Sequence, residues 1–126
     1  MTDYSKMSDA EIAQKVWFWW GHNVAPEGTP CQVFNGAMLY LKVVNWTPFD
    51  PCNSWADAGP IIQQAGIAIM PDSTAGEWIA FTEFTLYDGD WLFASDPANH
   101  ACGSNPLRNA MIVFLMMKDA EKVQGK

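Results

Sequence analysis

The chain has 126 residues, 49% of them hydrophobic and 17% charged, which suits a single domain over residues 1–126 and disfavours disorder. The formal net charge is −7, and eight acidic residues lie between Lys42 and Arg108 with no cation among them. Proteins that bind nucleic acid need clustered lysine and arginine to neutralise phosphates. We therefore expect no direct binding of DNA or RNA.

The cysteines and the apolar segments indicate the cellular setting. Cys31, Cys52 and Cys102 form an odd set at wide spacing, which favours a reducing cytosol over a disulfide framework. Residues 1–11 are polar and lack the apolar core of a signal peptide. The longest apolar run, residues 110–117, is far shorter than the ~20 residues that a membrane helix needs. We expect a cytoplasmic protein without a membrane segment.

The first predicted element is a helix from about Asp9 to Trp20. Ser8 and Glu11 have the spacing of a capping box, in which each side chain bonds the other residue's backbone N–H. Gly21 follows directly and is placed to end the helix in a left-handed turn.

The run Trp-Phe-Trp-Trp at positions 17–20 holds more aromatic side chains than one helix face can bury. At ~100° per residue, Trp19 and Trp20 join the core face, Trp17 lies at its margin and Phe18 falls on the polar face. Trp17 and Phe18 then need a covering loop, a partner or solvent, and the covering loop is the simpler explanation. Because aromatic side chains commonly anchor protein interfaces, we also take both residues as candidates for partner binding.

Two strands, residues 31–34 and 38–44, are predicted around Asn35-Gly36, the strongest short signal for a hairpin turn. A loop with two prolines follows. Asn53 is then the predicted N-cap of a second helix over about residues 54–65, which Pro60 should bend and Gly66 should end. The side chains expected to face the core from this helix are Trp55, Ala58, Ile62 and Ala65.

Three more strands are predicted at residues 67–70, 77–84 and 91–94, the last two as a hairpin, before a loop over residues 95–104. Asn105 and Pro106 then start a helix that continues to about Lys122. This helix is apolar nearly all round, so we expect it to lie between layers or beneath a second subunit. The fold class is α+β, with an antiparallel sheet of about four to five strands and helices packed on it.

Three stretches resemble one known family: MTDYSKMSDAEI at the start, FDPCNSWADAGPII in the centre and NPLRNAMIVFLMM near the end. They resemble the NinX family of lambdoid phages and prophages, small proteins of unknown function. The resemblance implies a phage protein in the bacterial cytoplasm and implies no catalytic residues. The order of the elements is also similar to phage domains described as α-β-α sandwiches, which implies helices on both faces of the sheet.

Residues able to do chemistry are few and scattered. His100 and Cys102 could supply two ligands to a metal, with His22, Cys31 or Cys52 completing the site, or could act as base and nucleophile. The spacings lack the close pairs typical of zinc sites, so we expect two loop residues and neither metal nor cofactor. Asp88 and Asp90 fit turn chemistry better than a cation loop.

Arg108, the only arginine, falls in the first turn of the last helix, where the helix dipole disfavours a cation. We expect an acid such as Asp57 or Asp50 to pair with it. The alternative is a clamp for a carboxylate or phosphate ligand. Glu77 and Glu83 share one predicted strand, and the pattern leaves a bulge, an edge strand or a ligand-facing side open.

The sequence contains no phosphate-binding, nucleophile-elbow or zinc-protease motif. We therefore expect a non-enzymatic accessory protein that binds another protein or a second copy of itself. The alternative is a small-molecule-binding protein or small enzyme with a pocket near residues 95–104 and Arg108.

Overall fold

The computed structural model describes residues 3–72, 76–82, 84–87, 90–93 and 100–124, with 84–87, 90–93 and 122–124 described by their backbone. The α-helices are α1 (Asp9–Trp20), α2 (Trp55–Ala65) and α3 (Pro106–Gln124). The strands are β1 (Cys31–Phe34), β2 (Ala37–Lys42), β3 (Asn45–Pro48), β4 (Ala68–Asp72), β5 (Glu77–Phe81), β6 (Phe84–Tyr87), β7 (Asp90–Phe93) and β8 (His100–Gly103). Short 3-10 helices occupy Tyr4–Lys6 and Gly21–Asn23.

The fold class is α+β, as predicted, but the strands do not form one sheet of four to five. Within the described residues they form two antiparallel three-stranded sheets, ordered β1-β2-β3 and β4-β5-β8, and a separate β6-β7 hairpin. The sheet β1-β2-β3 contacts α1, and the sheet β4-β5-β8 contacts α3. Because α1 and α2 also pack on α3, the helices lie between the two sheets. The expected order of an α-β-α sandwich is therefore not observed.

The turns that connect the strands of the first sheet depend only on neighbouring residues. Asn35 and Gly36 have positive φ angles of 52° and 75°, which confirms the predicted hairpin. The second predicted strand ends earlier than expected, because Val43 adopts a φ of 59° and the chain turns back into β3. Strand β3 was not predicted from the sequence, and its last residue, Pro48, is tolerated because β3 is an edge strand.

The second sheet depends on a strand far along the chain. The predicted strand 77–84 ends earlier than expected, at Phe81, as β5, which pairs with β4 and with β8. β8 occupies the end of the predicted 95–104 loop, so that part of the loop prediction is wrong; residues 94–99 lie outside the described residues. The predicted hairpin is wrong in its first strand, because β7 pairs with β6, whose residues 85–87 lie beyond the predicted strand 77–84, and Tyr87 lies opposite Asp90.

Helix α1 has the predicted bounds and the predicted capping box. The Glu11 carboxylate accepts from the Ser8 backbone N–H at 2.9 Å, and the Ser8 hydroxyl oxygen accepts from the Glu11 N–H at 3.1 Å. The prediction for Gly21 is wrong, because this residue is right-handed at φ −55° and continues into the 3-10 helix. A Cβ at Gly21 would lie 2.7 Å from the Trp17 ring, so the glycine provides space rather than a left-handed turn.

Helix α2 starts at Trp55, one residue later than predicted. Ser54, not Asn53, is the N-cap, and its hydroxyl accepts from the Asp57 backbone N–H. Gly66 ends the helix in the left-handed conformation, as predicted. Trp55 was expected in the core but is 61% exposed, and Ile61 is the fully buried large side chain of this helix.

Helix α3 begins as predicted, with the Asn105 side chain accepting from the N–H groups of Leu107 and Arg108, and it ends at Gln124. Residues 110–115 are all buried, six in succession. Helices α1 and α2 and the β4-β5-β8 sheet all contact this helix. It therefore lies between layers of the same chain, the first of the two arrangements expected for a helix that is apolar nearly all round. No helix within the described residues combines the length and the apolar content needed to cross a membrane.

Candidate protein-binding surface at the end of helix α1

The four aromatic side chains at the end of α1 have four different environments. Trp20 is 8% exposed and meets the Phe114 ring edge-on, with ring centroids 6.4 Å apart. Trp17 and Trp19 are half-buried, whereas Phe18 is 78% exposed. The helical projection therefore placed Trp20 and Phe18 correctly and overstated the burial of Trp19.

Trp17 is covered by residues from the first sheet and the segment that follows it. Its ring stacks on Tyr40 at a centroid distance of 4.8 Å and meets Phe49 edge-on at 5.1 Å. Tyr40 and Phe49 are themselves buried, and Gly21 leaves room for the ring on the helix side. The expected loop over the helix end is thus present for Trp17, with Phe49 as its contact.

Phe18 projects from the helix with only partial support. Its ring meets Trp19 edge-on, at a centroid distance of 5.2 Å and an interplanar angle of 89°. The Lys118 ammonium in turn lies 5.9 Å from the Trp19 ring centroid and 5.4 Å from that of Phe114, within the range of cation–π attraction. Trp19 is thereby held against α3, and it supports one side of Phe18.

Two concavities adjoin Phe18, and Trp17 also lines both of them. The larger measures about 650 Å³ and the smaller about 270 Å³. Apolar side chains at the larger concavity are Trp17, Phe18, Trp19, Cys31 and Leu115. Polar side chains there are Tyr4, Glu11, Gln14, Lys15 and Asp119. We call Trp17, Phe18, Trp19 and these two concavities the α1 aromatic surface; it has the apolar centre and polar rim of a protein interface.

The rim of the α1 aromatic surface is held in place by local bonds. The Tyr4 hydroxyl donates to the Asp119 carboxylate, which joins the N-terminal segment to α3. The capping box fixes the Glu11 carboxylate, and the bonds from the Ser8 backbone N–H and hydroxyl keep the pKa of Glu11 below its ordinary value. Glu11 therefore remains ionised at neutral pH and gives the rim a negative charge beside Asp119.

Arg108 lies at the junction of the N-terminal ends of α1 and α3. Its guanidinium donates to Asp9 Oδ1 at 2.6 Å and to the backbone carbonyls of Met7 at 2.5 Å, Ser5 at 3.1 Å and Tyr4 at 3.5 Å. The expected ion pair exists, but its acid is Asp9 rather than Asp57 or Asp50. Both terminal nitrogens of the guanidinium donate to these internal acceptors, which disfavours Arg108 as a clamp for an external ligand.

Asp50 and Asp57 serve the turn before α2 instead. The Asp57 carboxylate accepts from the Asp50 backbone N–H at 2.9 Å, and the Asn53 amide donates to both Asp50 oxygens at 3.1 Å. The same Asn53 amide donates to Asp9 at 3.0 Å. Asp9 thus connects this turn with Arg108.

The other candidate residues do not converge in the part of the chain that is described. His100 and Cys102 are exposed in β8 and, being two apart in a strand, share one face, but neither His22, Cys31 nor Cys52 joins them to complete a metal site. Over the described residues, no group of three His, Cys, Asp or Glu side chains is placed to hold a metal ion. Glu77 is exposed, Asp90 begins β7, and Glu83 and Asp88 lie outside the described residues.

Cys52 is fully buried near Asp9 and Arg108, so the pH dependence of stability tests how well this junction shields its thiol from water. Desolvation by burial, reinforced by the Asp9 carboxylate, raises the pKa of Cys52 from its ordinary 9.0 to about 12, against an opposing effect of Arg108. Above pH 9 the unfolded chain therefore loses this proton before the folded chain, and the free energy of unfolding falls as pH rises through this range. From pH 8 to pH 10 we expect the ionisation of Cys52 to lower the free energy of unfolding by roughly 1 kcal/mol.

Urea unfolding of the wild type and of Cys52→Ala at both pH values measures this decrease. The substitution lowers stability at each pH by removing packing, so the informative quantity is the difference in pH dependence between the two proteins. Lysine and tyrosine titration affects both proteins alike. Equal pH dependence in the two would show that the Cys52 thiol is not shielded from water as its burial indicates.

The fold and the α1 aromatic surface together define a small α+β protein that displays a phenylalanine between two concavities. The family model described as Bacteriophage P22, NinX, matches residues 3–118. The chain therefore belongs to the NinX family of phage proteins, as the three sequence stretches predicted. A search of curated proteins found no significant match.

Proposed function

We propose that this protein is a non-enzymatic phage accessory protein that binds another protein through the α1 aromatic surface, in the cytoplasm of the bacterial host. The observation that carries this proposal is the 78% exposure of Phe18 beside the two concavities. Burying a phenylalanine side chain contributes about 1.5–3 kcal/mol, so a partner that covers Phe18 gains a substantial part of its affinity there.

The charge of the chain indicates the chemistry of the partner. The net charge is −7, and Glu11 and Asp119 line the larger concavity together with the single cation Lys15. A segment with an apolar anchor and flanking lysine or arginine complements this rim and is attracted over longer distances by the whole chain. The same charge opposes nucleic acids and anionic membranes as partners.

The pocket alternative has less support. Arg108 is bonded to Asp9 and to three backbone carbonyls, so its guanidinium is part of the protein's own framework. The adjoining residues 100–103 form a strand of the β4-β5-β8 sheet instead of a loop over a pocket. No observation on the described residues favours a small-molecule site at this position.

The proposal is tested by affinity capture from phage-infected cells, followed by titration of the purified captured protein. We compare the wild type with Phe18→Ser and with Trp55→Ser, because Trp55 is an exposed aromatic residue that lines neither concavity at Phe18. We expect Phe18→Ser to raise the Kd by at least about 30-fold, as hot-spot removal does, and Trp55→Ser to leave it unchanged. Added salt should weaken the complex.

Three results would overturn the proposal. The first is that wild-type protein enriches nothing that Phe18→Ser fails to enrich. The second is a captured protein whose Kd is the same for the wild type and Phe18→Ser. The third is an equal loss of binding in Trp55→Ser, which would show that exposed aromatic residues act without regard to position.

A further inference from the structure

The sheet β1-β2-β3 carries apolar side chains on the face turned away from α1. Met38 and Tyr40 in β2 are buried toward the helix, so the alternate residues of this strand point outward. The register pairs Phe34 with Ala37, Leu41 with Trp46 and Leu39 with Pro48, and directly paired residues share a face. The outer sheet face is therefore formed by Phe34, Ala37, Leu39, Leu41, Trp46 and Pro48.

Most of this outer sheet face is open to solvent, and Leu39 and Leu41 at its centre are partly exposed. Phe34 is 61% exposed and Trp46 is 44% exposed, whereas Met38 on the inner face is 2% exposed. An antiparallel sheet with one covered face normally presents polar residues on the other. Here Gln32, opposite Leu39, is the polar residue of the outward row. A continuous apolar surface of this kind marks an interaction site.

The segment that forms this face has almost no charge. Residues 28–49 contain no aspartate or glutamate, although the chain has 14 acidic residues, and their single cation is Lys42. Lys42 pairs with Asn45 in the row of Met38 and Tyr40, so it does not belong to the outer sheet face. Two copies can therefore meet at this face without bringing like charges of the face together.

The turn between β2 and β3 gives independent support for an interaction site at the outer sheet face. Val43 adopts a left-handed φ of 59°, which is costly for a β-branched residue and is usually left to glycine or asparagine. Val43 is 87% exposed and Val44 is 79% exposed, so no burial in the single chain compensates for this strain. Apolar side chains at a strained, exposed turn are favourable where another molecule covers them.

We propose that the outer sheet face, extended by Val43 and Val44, is a homodimer interface in which two copies pack sheet against sheet about a two-fold axis. A self-complementary patch is what such an interface requires. Covering these side chains would remove roughly 600 Å² per protomer from water, or about 1,200 Å² in total, the lower end of the range for stable interfaces. The α1 aromatic surface lies outside this interface and stays free for a different partner.

The experiment is sedimentation equilibrium of the full chain over concentrations from about 1 to 200 µM. We expect the wild type to pass from 14.0 kDa to twice that mass. Phe34→Glu and Trp46→Glu place a carboxylate on the face of each copy, and each should raise the dimer Kd by at least about 30-fold. Phe18→Glu and Trp55→Glu are matched controls at exposed aromatic positions elsewhere, and both should dimerise like the wild type.

Salt provides a second, independent readout. Each protomer carries −7, so dimerisation through an uncharged face is opposed by long-range repulsion that salt screens. We expect the dimer to become tighter as sodium chloride rises, the reverse of the effect expected for a basic partner at the α1 aromatic surface. Far- and near-ultraviolet circular dichroism of each variant establishes that the substitutions leave the fold intact.

A wild-type mass of 14.0 kDa throughout the concentration range would overturn the dimer proposal while leaving the partner proposal standing. A dimer that Phe34→Glu and Trp46→Glu do not weaken, in folded variants, would place the interface elsewhere and overturn it as well. If Phe18→Glu alone dissolved the dimer, the α1 aromatic surface would be the site of self-association and the outer sheet face would be excluded.

Discussion

Replacing Phe49 by alanine is expected to lower the free energy of unfolding by about 3–5 kcal/mol, the usual loss for a large aromatic side chain in a core. Phe49 is 1% exposed, and its ring lies against the edge of Trp17. Its removal leaves a cavity beneath the end of α1, and neighbouring Trp17 is held between Tyr40 and Gly21, so it cannot move far to fill the space. Since small proteins are stable by only about 5–15 kcal/mol, this is a large part of the total.

Phe18→Ala is the matched control, because it makes the same substitution at a side chain that is 78% exposed. We expect it to change stability by less than about 0.5 kcal/mol. Thermal unfolding followed by circular dichroism should show the Phe49→Ala midpoint lower by roughly 15 °C and the Phe18→Ala midpoint unchanged. Similar losses in both variants would show that Phe18 is covered within a single molecule, which would also remove the basis of the proposed function.

Replacing Arg108 by methionine is expected to cost about 2–4 kcal/mol, because it removes several bonds to a charged donor while keeping most of the side-chain volume. The Asp9 carboxylate is 41% exposed, so water compensates for part of the lost ion pair. The carbonyls of Ser5 and Met7 also lose their bonds to the guanidinium. The largest local effect should therefore be release of the N-terminal segment from α3.

Two measurements check this expectation. Urea unfolding gives the loss in stability, and amide hydrogen exchange shows whether residues 4–9 open more readily than the rest of the protein. Lys42→Met is the control, because it removes a cation from an exposed side chain and should cost less than about 0.5 kcal/mol. An Arg108→Met protein as stable as the control, with unchanged exchange at residues 4–9, would show that Arg108 does not hold this junction.

Structural features that depend on residues a few positions apart were predicted best. The capping box of Ser8 and Glu11, the Asn35-Gly36 turn and the left-handed Gly66 were all correctly predicted. In each case the stabilising bond or backbone angle involves residues within one turn of chain. Gly21 is the exception: its role is set by the Trp17 ring, which local turn rules do not consider.

Strand pairing was predicted less well because it depends on distant residues. β8, with the sequence His-Ala-Cys-Gly, has none of the β-branched or large aromatic residues typical of strands, and it becomes a strand because β5 offers an edge to which it can bond, with Ile79 opposite Cys102. β3 forms because Val43 accepts a strained backbone angle, which propensity rules disfavour. The single predicted sheet is consequently replaced by two smaller sheets on either side of the helices.

The candidate site was partly visible in the sequence. Helical projection identified Phe18 as the aromatic residue that its own helix could not bury, and the structure leaves it exposed. The outer sheet face was missed, because it requires the register of three strands, one of which was not predicted. The absence of acidic residues from 28 to 49 was the available sequence signal for that uncharged face.

The fold class, the family, the ends of α1 and the need of α3 for cover on every side were all evident from the linear chain. These properties follow from composition, helical periodicity and bonds between near neighbours. The pairing of Arg108 with Asp9, 99 residues away, and the set of apolar side chains that stay uncovered became evident only in the folded chain. Burial and ion pairing depend on the tertiary contacts between helices and strands, and a linear pattern of residues does not specify those contacts.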